Sequence, residues 1–431
     1  MNARNVAFCT CLPLLALATH GSMGCASNDA ASPGFEPDAG DAAPSTETDA
    51  GFVEDARSDS PVPDRDGGPP CNEDGWCRTP LPGVPSPSLK GVFAVSPTRA
   101  LATGETCAIQ GSQYVCATSL LLWDGNAWST AARGLERLTG IWASDADHFW
   151  VVNDQSKSIA RVTFDGNHAD IATESLPYDL KSCADAKLAI SGSGPTGVYV
   201  AAYCYNGDQT TKGFLFHRTE GDGGAPAWST TWSGGGTSEL QAGLGSVFVS
   251  PSGDVWAAGW KIQGPTGSWS ARSYIPDTMS TLVLRVTGDT VDEQALDPSL
   301  AMCSQSIWSA GDGTVFVGGV CDSGYLDYTE YPTLARYGQL ADGGFGWSAV
   351  HRTPIGQWGA IGRSFPVVWG FGSTEVYAVG SWATVWNGTA LETVNLAVNG
   401  SPVGNRVESV HGSSSTDIWM VGNGFAMHRA R

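Results

Sequence analysis

Between residues 368 and 391 the chain alternates short apolar runs with polar turns, a pattern that predicts three strands. The first covers 368–370 and is followed by a polar turn ending at Glu375. The second is the apolar run 376–379, closed by Gly380, and the third runs from Ala383 to Trp386. The Asn387-Gly388 step that follows is the strongest short-range hairpin signal. A unit of this size cannot cover its own apolar face, so it predicts copies of itself along the chain.

An internal distance identifies the copies. An apolar or aromatic pair opens each unit, and eight residues after its second member comes the apolar centre of the next strand. Six copies are clear: Phe93 and Leu101, Trp142 and Trp150, Phe248 and Trp256, Trp308 and Phe316, Trp369 and Tyr377, His411 and Trp419. A seventh, Ser191 and Tyr199, keeps the spacing without the first aromatic residue. The second strand is expected to end on glycine in five units, at Gly104, Gly259, Gly318, Gly380 and Gly422. A third strand follows, marked by Ala160-Arg161, Phe216-His217, Leu284-Arg285, Ala335-Arg336 and Met427-His428, with Leu122-Trp123 and Val385-Trp386 in the remaining units. Several units finish with a turn and a further tryptophan, as at Asp124-Gly125 and Trp128. Four strands per unit and seven units predict an all-β fold, a seven-bladed β-propeller of four-stranded blades over residues 71–431.

The last unit stops after its third strand, at Met427-His428-Arg429. Asp74-Gly75-Trp76 precedes the first blade as Asp124-Gly125 and Trp128 precede the second. The N-terminal strand is therefore expected to complete the C-terminal blade, in a closure that resembles the clasp of WD-repeat propellers and removes the last free edges.

Residues 1–24 carry one positive charge at Arg4, an apolar stretch over 6–18 and small residues before Cys25, the outline of a secretory signal. The apolar stretch is shorter than the roughly 20 residues that span a bilayer. Ser22-Met23-Gly24-Cys25 resembles the lipobox of bacterial lipoproteins, with Ser where that family usually has Leu. The resemblance implies that Cys25 becomes the acylated first residue of an outer membrane lipoprotein on the periplasmic or cell-surface side. Cysteine arithmetic agrees. Of eleven cysteines, Cys9 and Cys11 leave with the signal and Cys25 takes the lipid, so eight remain. Cys204 and Cys321 each follow a second strand, and Cys183 and Cys303 each precede the first strand of the same blade, so Cys183 pairs with Cys204 and Cys303 with Cys321. Proximity pairs Cys107 with Cys116 and Cys71 with Cys77. Each bridge is worth about 2 to 4 kcal/mol in an oxidising compartment.

Residues 25–70 after the lipid site read as a disordered tether. From 26 to 70, Ala, Asp, Pro, Ser and Thr dominate, and eleven acidic residues stand against Arg57 and Arg65, a net charge of -9 (2 minus 11) out of the chain's formal -20. Neither tether nor propeller carries the basic stripe that phosphate backbones require, which excludes nucleic acid. The same charge excludes direct binding to anionic lipid and leaves the acyl group as the membrane contact.

The repeat pattern looks like the secreted propeller lipoproteins abundant in myxobacteria, and more distantly like kelch repeats, which also place Gly after the second strand and Trp near the fourth. The double Gly of kelch appears at Gly318-Gly319. The resemblance implies a fold and is almost silent on activity. No Gly-x-Ser-x-Gly elbow, His-Glu-x-x-His helix, Gly-rich phosphate loop or Asp-x-Asp-x-Asp calcium loop is present, so neither metal nor cofactor is expected. His217, His428, Arg161, Arg285 and Arg336 share one repeat column and His411 stands in a tryptophan column, which makes them architectural.

Two functional classes remain. One is a non-catalytic binding module on the envelope; the other is a carbohydrate-active enzyme, a glycosidase or lyase, using carboxylates on the propeller face. A pair of carboxylates about 5 to 10 Å apart across the axial funnel would favour the enzyme. Loop lengths locate the ligand. Blades three, four and five insert long segments between second and third strands, 203–212, 260–280 and 322–332, and such loops emerge on one face. They hold Tyr203, Tyr205, Trp260, Trp269, Tyr274, Tyr325, Tyr328 and Tyr331, amphipathic aromatics of the kind interfaces favour. The expectation is a monomer that binds a protein or glycan ligand there.

Overall fold

The computed structural model describes residues 70–430 apart from internal stretches, of which 264–278, 320–329 and 355–364 are the longest. The signal, Cys25 and most of the tether lie outside the described residues. The rest forms seven four-stranded antiparallel sheets. Six blades, 88–135, 138–174, 185–235, 240–294, 304–354 and 367–393, take their strands in chain order. The seventh takes three strands from 407–430 and its outermost from Trp76–Thr79, which pairs antiparallel with Phe425–Ala430. The chain is thus a seven-bladed β-propeller closed by an N-terminal strand.

The eight-residue spacing is the register of the first hairpin in each blade. Phe93 faces Leu101, Trp142 faces Trp150, and the same holds for Ser191 and Tyr199, Phe248 and Trp256, Trp308 and Phe316, Trp369 and Tyr377, His411 and Trp419. Register partners share a face of the sheet, so each pair lays one row of bulk against the neighbouring blade. The third-strand column continues the row. His217 stacks on Tyr199 at 4.1 Å, His428 on Trp419 at 4.0 Å, and the Arg285 guanidinium lies 5.3 Å from the Trp256 ring. The core therefore lies between blades, as where Trp142, Trp150 and Val152 of the second pack on Leu188, Val200 and Ala202 of the third.

The second strands of blades five, six and seven finish at Gly319, Val379 and Gly422, at or within one residue of the expected glycines. In blades one and four the strand continues past them, from Gly104 to Gln110 and from Gly259 to Gln263. What they permit is close approach: a Cβ on Gly259 would overlap the Gly243 carbonyl, and one on Gly318 would lie 2.4 Å from the Phe365 oxygen.

The innermost strands have a backbone edge with no strand beside it, and side chains from the preceding blade satisfy part of it. Ser191 Oγ accepts the Val249 N–H at 3.0 Å and Ser306 Oγ accepts the Val368 N–H at 2.9 Å. At the seam between the seventh and first blades there are two such bonds, Val92 N–H to Ser409 Oγ at 3.3 Å and Ala94 N–H to His411 Nδ1 at 3.1 Å. The disulfides Cys71–Cys77, Cys107–Cys116 and Cys183–Cys204 form as expected. Cys303 and Cys321 lie outside the described residues.

Candidate functional site

The segments read as inserted loops are partly longer strands. Tyr203 and Tyr205 belong to the second strand of blade three, Val198–Tyr205, and Trp260 to that of blade four, Val255–Gln263. Tyr331 lies in the strand Glu330–Gln339, opposite Thr353. In blade four the difference follows from Gly259, which marks a close approach within the strand, with pairing resumed beyond it; in blade three the strand simply runs on past Ala202. Trp269, Tyr274, Tyr325 and Tyr328 lie outside the described residues.

Tyr203 and Trp260 come together across the junction of blades three and four, with ring centroids 6.4 Å apart. Trp260 is opposite Gly243 on the innermost strand, and a Cβ there would fall 2.8 Å from the indole, so only glycine lets the ring lie across that strand. Tyr203 is opposite Lys187 on the innermost strand of its own blade. Burial, with Asp185 and Asp154 adding to it, pushes the Tyr203 hydroxyl up to about 12. Burial lowers the Lys187 ammonium, with Asp154 acting against it, and burial raises Asp154. Asp154, in blade two, also accepts the Leu188 N–H of blade three at 2.9 Å. The Cys183–Cys204 bridge is anchored on the residue after Tyr203. The result is a pre-ordered patch of aromatic surface with one lysine in the same row.

A second feature lies on the axis. A cavity of about 500 Å³ is walled by innermost-strand residues of all seven blades, among them Phe93, Trp142, Ser191, Phe248, Trp369 and His411. It extends to Ser193 and Ser250, just past the ends of their strands, and so reaches the face opposite Tyr203 and Trp260. His411 is the lining residue with an ionisable side chain. It stacks between Phe93 at 3.9 Å and Trp369 at 4.2 Å, and burial, opposed by Asp417, pulls its imidazole down to about 3. With Nδ1 accepting from Ala94, the ring is neutral and carries its proton on Nε2. No Asp or Glu is among the described lining residues, so the carboxylate pair that a glycosidase needs finds no place here.

Blade seven holds a serine, an aspartate and a histidine in contact, but not in a nucleophile's order. Ser413 Oγ donates to Asp417 Oδ2 at 2.5 Å, and His428 Nε2 sits 2.6 Å from Asp417 Oδ1. The carboxylate is the shared acceptor, so the imidazole meets Asp417 and not the hydroxyl, unlike the serine–histidine order of an activated nucleophile. Among the described residues one trio has metal-ligand spacing, Glu105 with Cys107 and Cys116, and both sulfurs are consumed by their disulfide.

Two surface features were not read from sequence. The hairpin between the second and third strands of blade one projects beyond its disulfide with Ile109 78% exposed, and Trp382 is 53% exposed in the tight turn of blade six. Trp382 borders a groove of about 670 Å³ walled by Val394, Leu396, Val403 and Phe425, with Arg406 beside them. A large apolar residue in a tight turn was the available signal for the latter.

No family model and no curated protein matches the sequence. Solved propellers are similar in fold. YCF48 bound to a D1 peptide is 13% identical with a TM-score of 0.48, over 84% of this chain and 99% of that one. The extracellular domain of the putative one component system BT4673 from B. thetaiotaomicron is 12% identical with a TM-score of 0.49, over 84% of this chain and 40% of that one. Sqt1 of Chaetomium thermophilum bound to the N-terminus of ribosomal protein L10 is 10% identical with a TM-score of 0.45, over 80% of this chain and 97% of that one. At these identities the likeness is one of fold.

Proposed function

We propose that this chain is a non-catalytic binding module, tethered to the cell envelope, that presents the face bearing Tyr203, Tyr205 and Trp260 to a protein or glycan ligand. The observation that carries the reading is the Tyr203–Trp260 pair, 6.4 Å apart on two different blades. Large rings held in place by strands and a nearby disulfide lose little conformational freedom on binding. The same row supplies Lys187 for an acceptor or anionic group on the ligand. Full-length protein screened against a glycan array and a displayed peptide library is expected to yield ligands that Tyr203→Ala with Trp260→Ala weakens by more than tenfold, about 1.4 kcal/mol, while the melting temperature changes little. Unaltered affinity in the double variant, or turnover of a glycan on the array, would overturn it.

The envelope anchor follows from the lipobox-like segment before Cys25 and the odd cysteine it removes from the count. The tether and lipid place the propeller outside the cytoplasm, where its disulfides persist. Radiolabelled palmitate is expected to enter the wild type and not Cys25→Ser; equal labelling of both would remove the anchor from this reading.

A further inference from the structure

On the reading of the Tyr203–Trp260 face as a ligand surface, on which this proposal rests, we infer that Lys187 makes that face selective for a saccharide carrying a carboxylate, a uronic acid. The chain has six lysines, and five of them have a partner or lie in water. Lys90 pairs with Glu408 at 3.8 Å and Lys261 with Glu293 at 2.9 Å. Lys157 donates to the Cys183 carbonyl, Lys212 lies 5.3 Å from the centre of the Phe214 ring, and Lys181 is exposed. Lys187 alone is half-buried with no hydrogen bond, ion pair or ring contact among the described residues. Asp154 attracts it without forming an ion pair. The Tyr203 hydroxyl, in the same row, also has no hydrogen-bond partner among the described residues, and it keeps its proton at neutral pH because burial pushes it up to about 12. Both groups are open to solvent, unlike the sealed unpartnered atoms of the fold such as Thr103 Oγ1 and Trp150 Nε1.

A partly desolvated ammonium without a counter-charge lowers stability, and an uncharged side chain would fill the row without that penalty. A ligand that brings the counter-charge gives the lysine its reason. Gly213 continues the row without a side chain, and a Cβ on it would fall 3.4 Å from the Cα of Gly243, the residue over which the Trp260 ring lies. Lys187, Tyr203 and Trp260 thus meet at one junction of blades, two donors beside two rings. Two donors suit the two oxygens of a carboxylate, and their attraction is stronger where rings exclude water. Asp154 and Asp185 limit how much charge the site accepts. Their carboxylates take the N–H groups of Leu188 and Ala186, and both act on Tyr203, so a ligand with more than one negative charge meets repulsion there. The rings select the carrier. A pyranose packs its C–H face on an indole or phenol ring, and a uronate holds its carboxylate on that same rigid ring. An acidic peptide side chain has to be ordered first, which costs entropy.

The test uses full-length protein labelled with ¹⁵N at tryptophan, with the Trp260 indole signal assigned from Trp260→Phe. The probes are glucuronate and galacturonate, their neutral counterparts glucose and galactose, and the peptide Gly-Glu-Gly blocked at both ends, at millimolar concentration. At least one uronate is expected to shift the Trp260 signal, and its neutral counterpart to bind about tenfold more weakly or worse. Lys187→Met is expected to bring that uronate down to the affinity of the neutral sugar without lowering the melting temperature. Should this variant melt early, Lys187→Gln gives the same comparison with a polar head in place of the charge. A Trp260 shift of equal strength from glucuronate and glucose, or unchanged uronate affinity without Lys187, would overturn the selectivity and leave the face standing as a glycan surface. No shift from any sugar, or tighter binding of the peptide than of either uronate, would overturn the proposal and leave the face to a protein ligand.

Discussion

Trp76 lies opposite Arg429 in the strand pairing that closes the ring, and the guanidinium sits 5.4 Å above its indole. The same strand reaches sideways. Thr79 Oγ1 accepts the indole N–H of Trp128 in blade one at 3.1 Å, and Asn72 just before the strand donates to the Asn395 carbonyl beyond blade six at 2.7 Å. One short segment thus joins blade seven to both of its neighbours.

Because Trp76 is buried and shared in this way, Trp76→Ala is expected to cost about 3 to 5 kcal/mol. Deleting residues 71–79 is expected to lower the melting temperature of the whole propeller in one transition, and deleting 27–66 to leave it unchanged. Calorimetry on the two deletions decides: an unaffected melt after the first would show that the ring holds without its clasp.

The His411 imidazole gives the fold a pH dependence whose sign can be worked out. Burial moves it from an ordinary value of 6.5 to about 3, so between those limits an unfolded chain holds a proton that the folded chain refuses. Stability is present above about 6.5 and falls as the pH drops toward 3. The slope from one such group is at most about 1.4 kcal/mol per pH unit. His411→Phe keeps a ring between Phe93 and Trp369 but leaves the Ala94 N–H unpaired, a constant offset of about 1 to 3 kcal/mol. Urea unfolding from pH 7 to 4 is expected to show a shallower loss in the variant than in the wild type. Parallel curves would mean that His411 takes up a proton in the folded state.

The blades were legible because register leaves a trace in spacing. Phe93 and Leu101 are eight apart for the same reason that Trp369 and Tyr377 are: one turn length returns the chain to the same row. The clasp was legible because a fourth strand was missing at one end of the chain and spare at the other. The axial cavity was not. Whether a serine such as Ser409 meets a backbone N–H depends on which N–H of the next blade comes within reach, and no local pattern encodes that. The aromatic face was half legible. Tyr203 and Trp260 were picked out, yet both were assigned to loops because their strands were read as ending too early; in blade four Gly259 was taken as the end, when the carbonyl of Gly243 is the reason for the glycine.

Cys303 and Cys321 are expected to be joined. In the sequence Cys321, like Cys204, comes five residues after the centre of a second strand, and Cys303, like Cys183, comes shortly before the first strand of its blade; in blade three the bridge is present. Peptide mapping of the non-reduced protein should recover the two in one disulfide-linked fragment. Free thiols at both positions under oxidising purification would break the equivalence of the two blades.

Gly243 supplies the sharpest test of whether Trp260 is held for a ligand. A methyl group there would sit 2.8 Å from the indole, closer than packed carbons tolerate, so in Gly243→Ala the ring must leave the innermost strand. The cost of such overpacking is typically about 1 to 3 kcal/mol. It should appear as a modest fall in melting temperature, together with a changed near-ultraviolet circular dichroism signal. If the Tyr203–Trp260 pair is a binding surface, this substitution weakens the ligands found by array or display about as much as Trp260→Ala does, although it removes no contacting atom. If Trp260 only covers the blade tops, Gly243→Ala and Trp260→Ala lower stability together and leave affinity where it was.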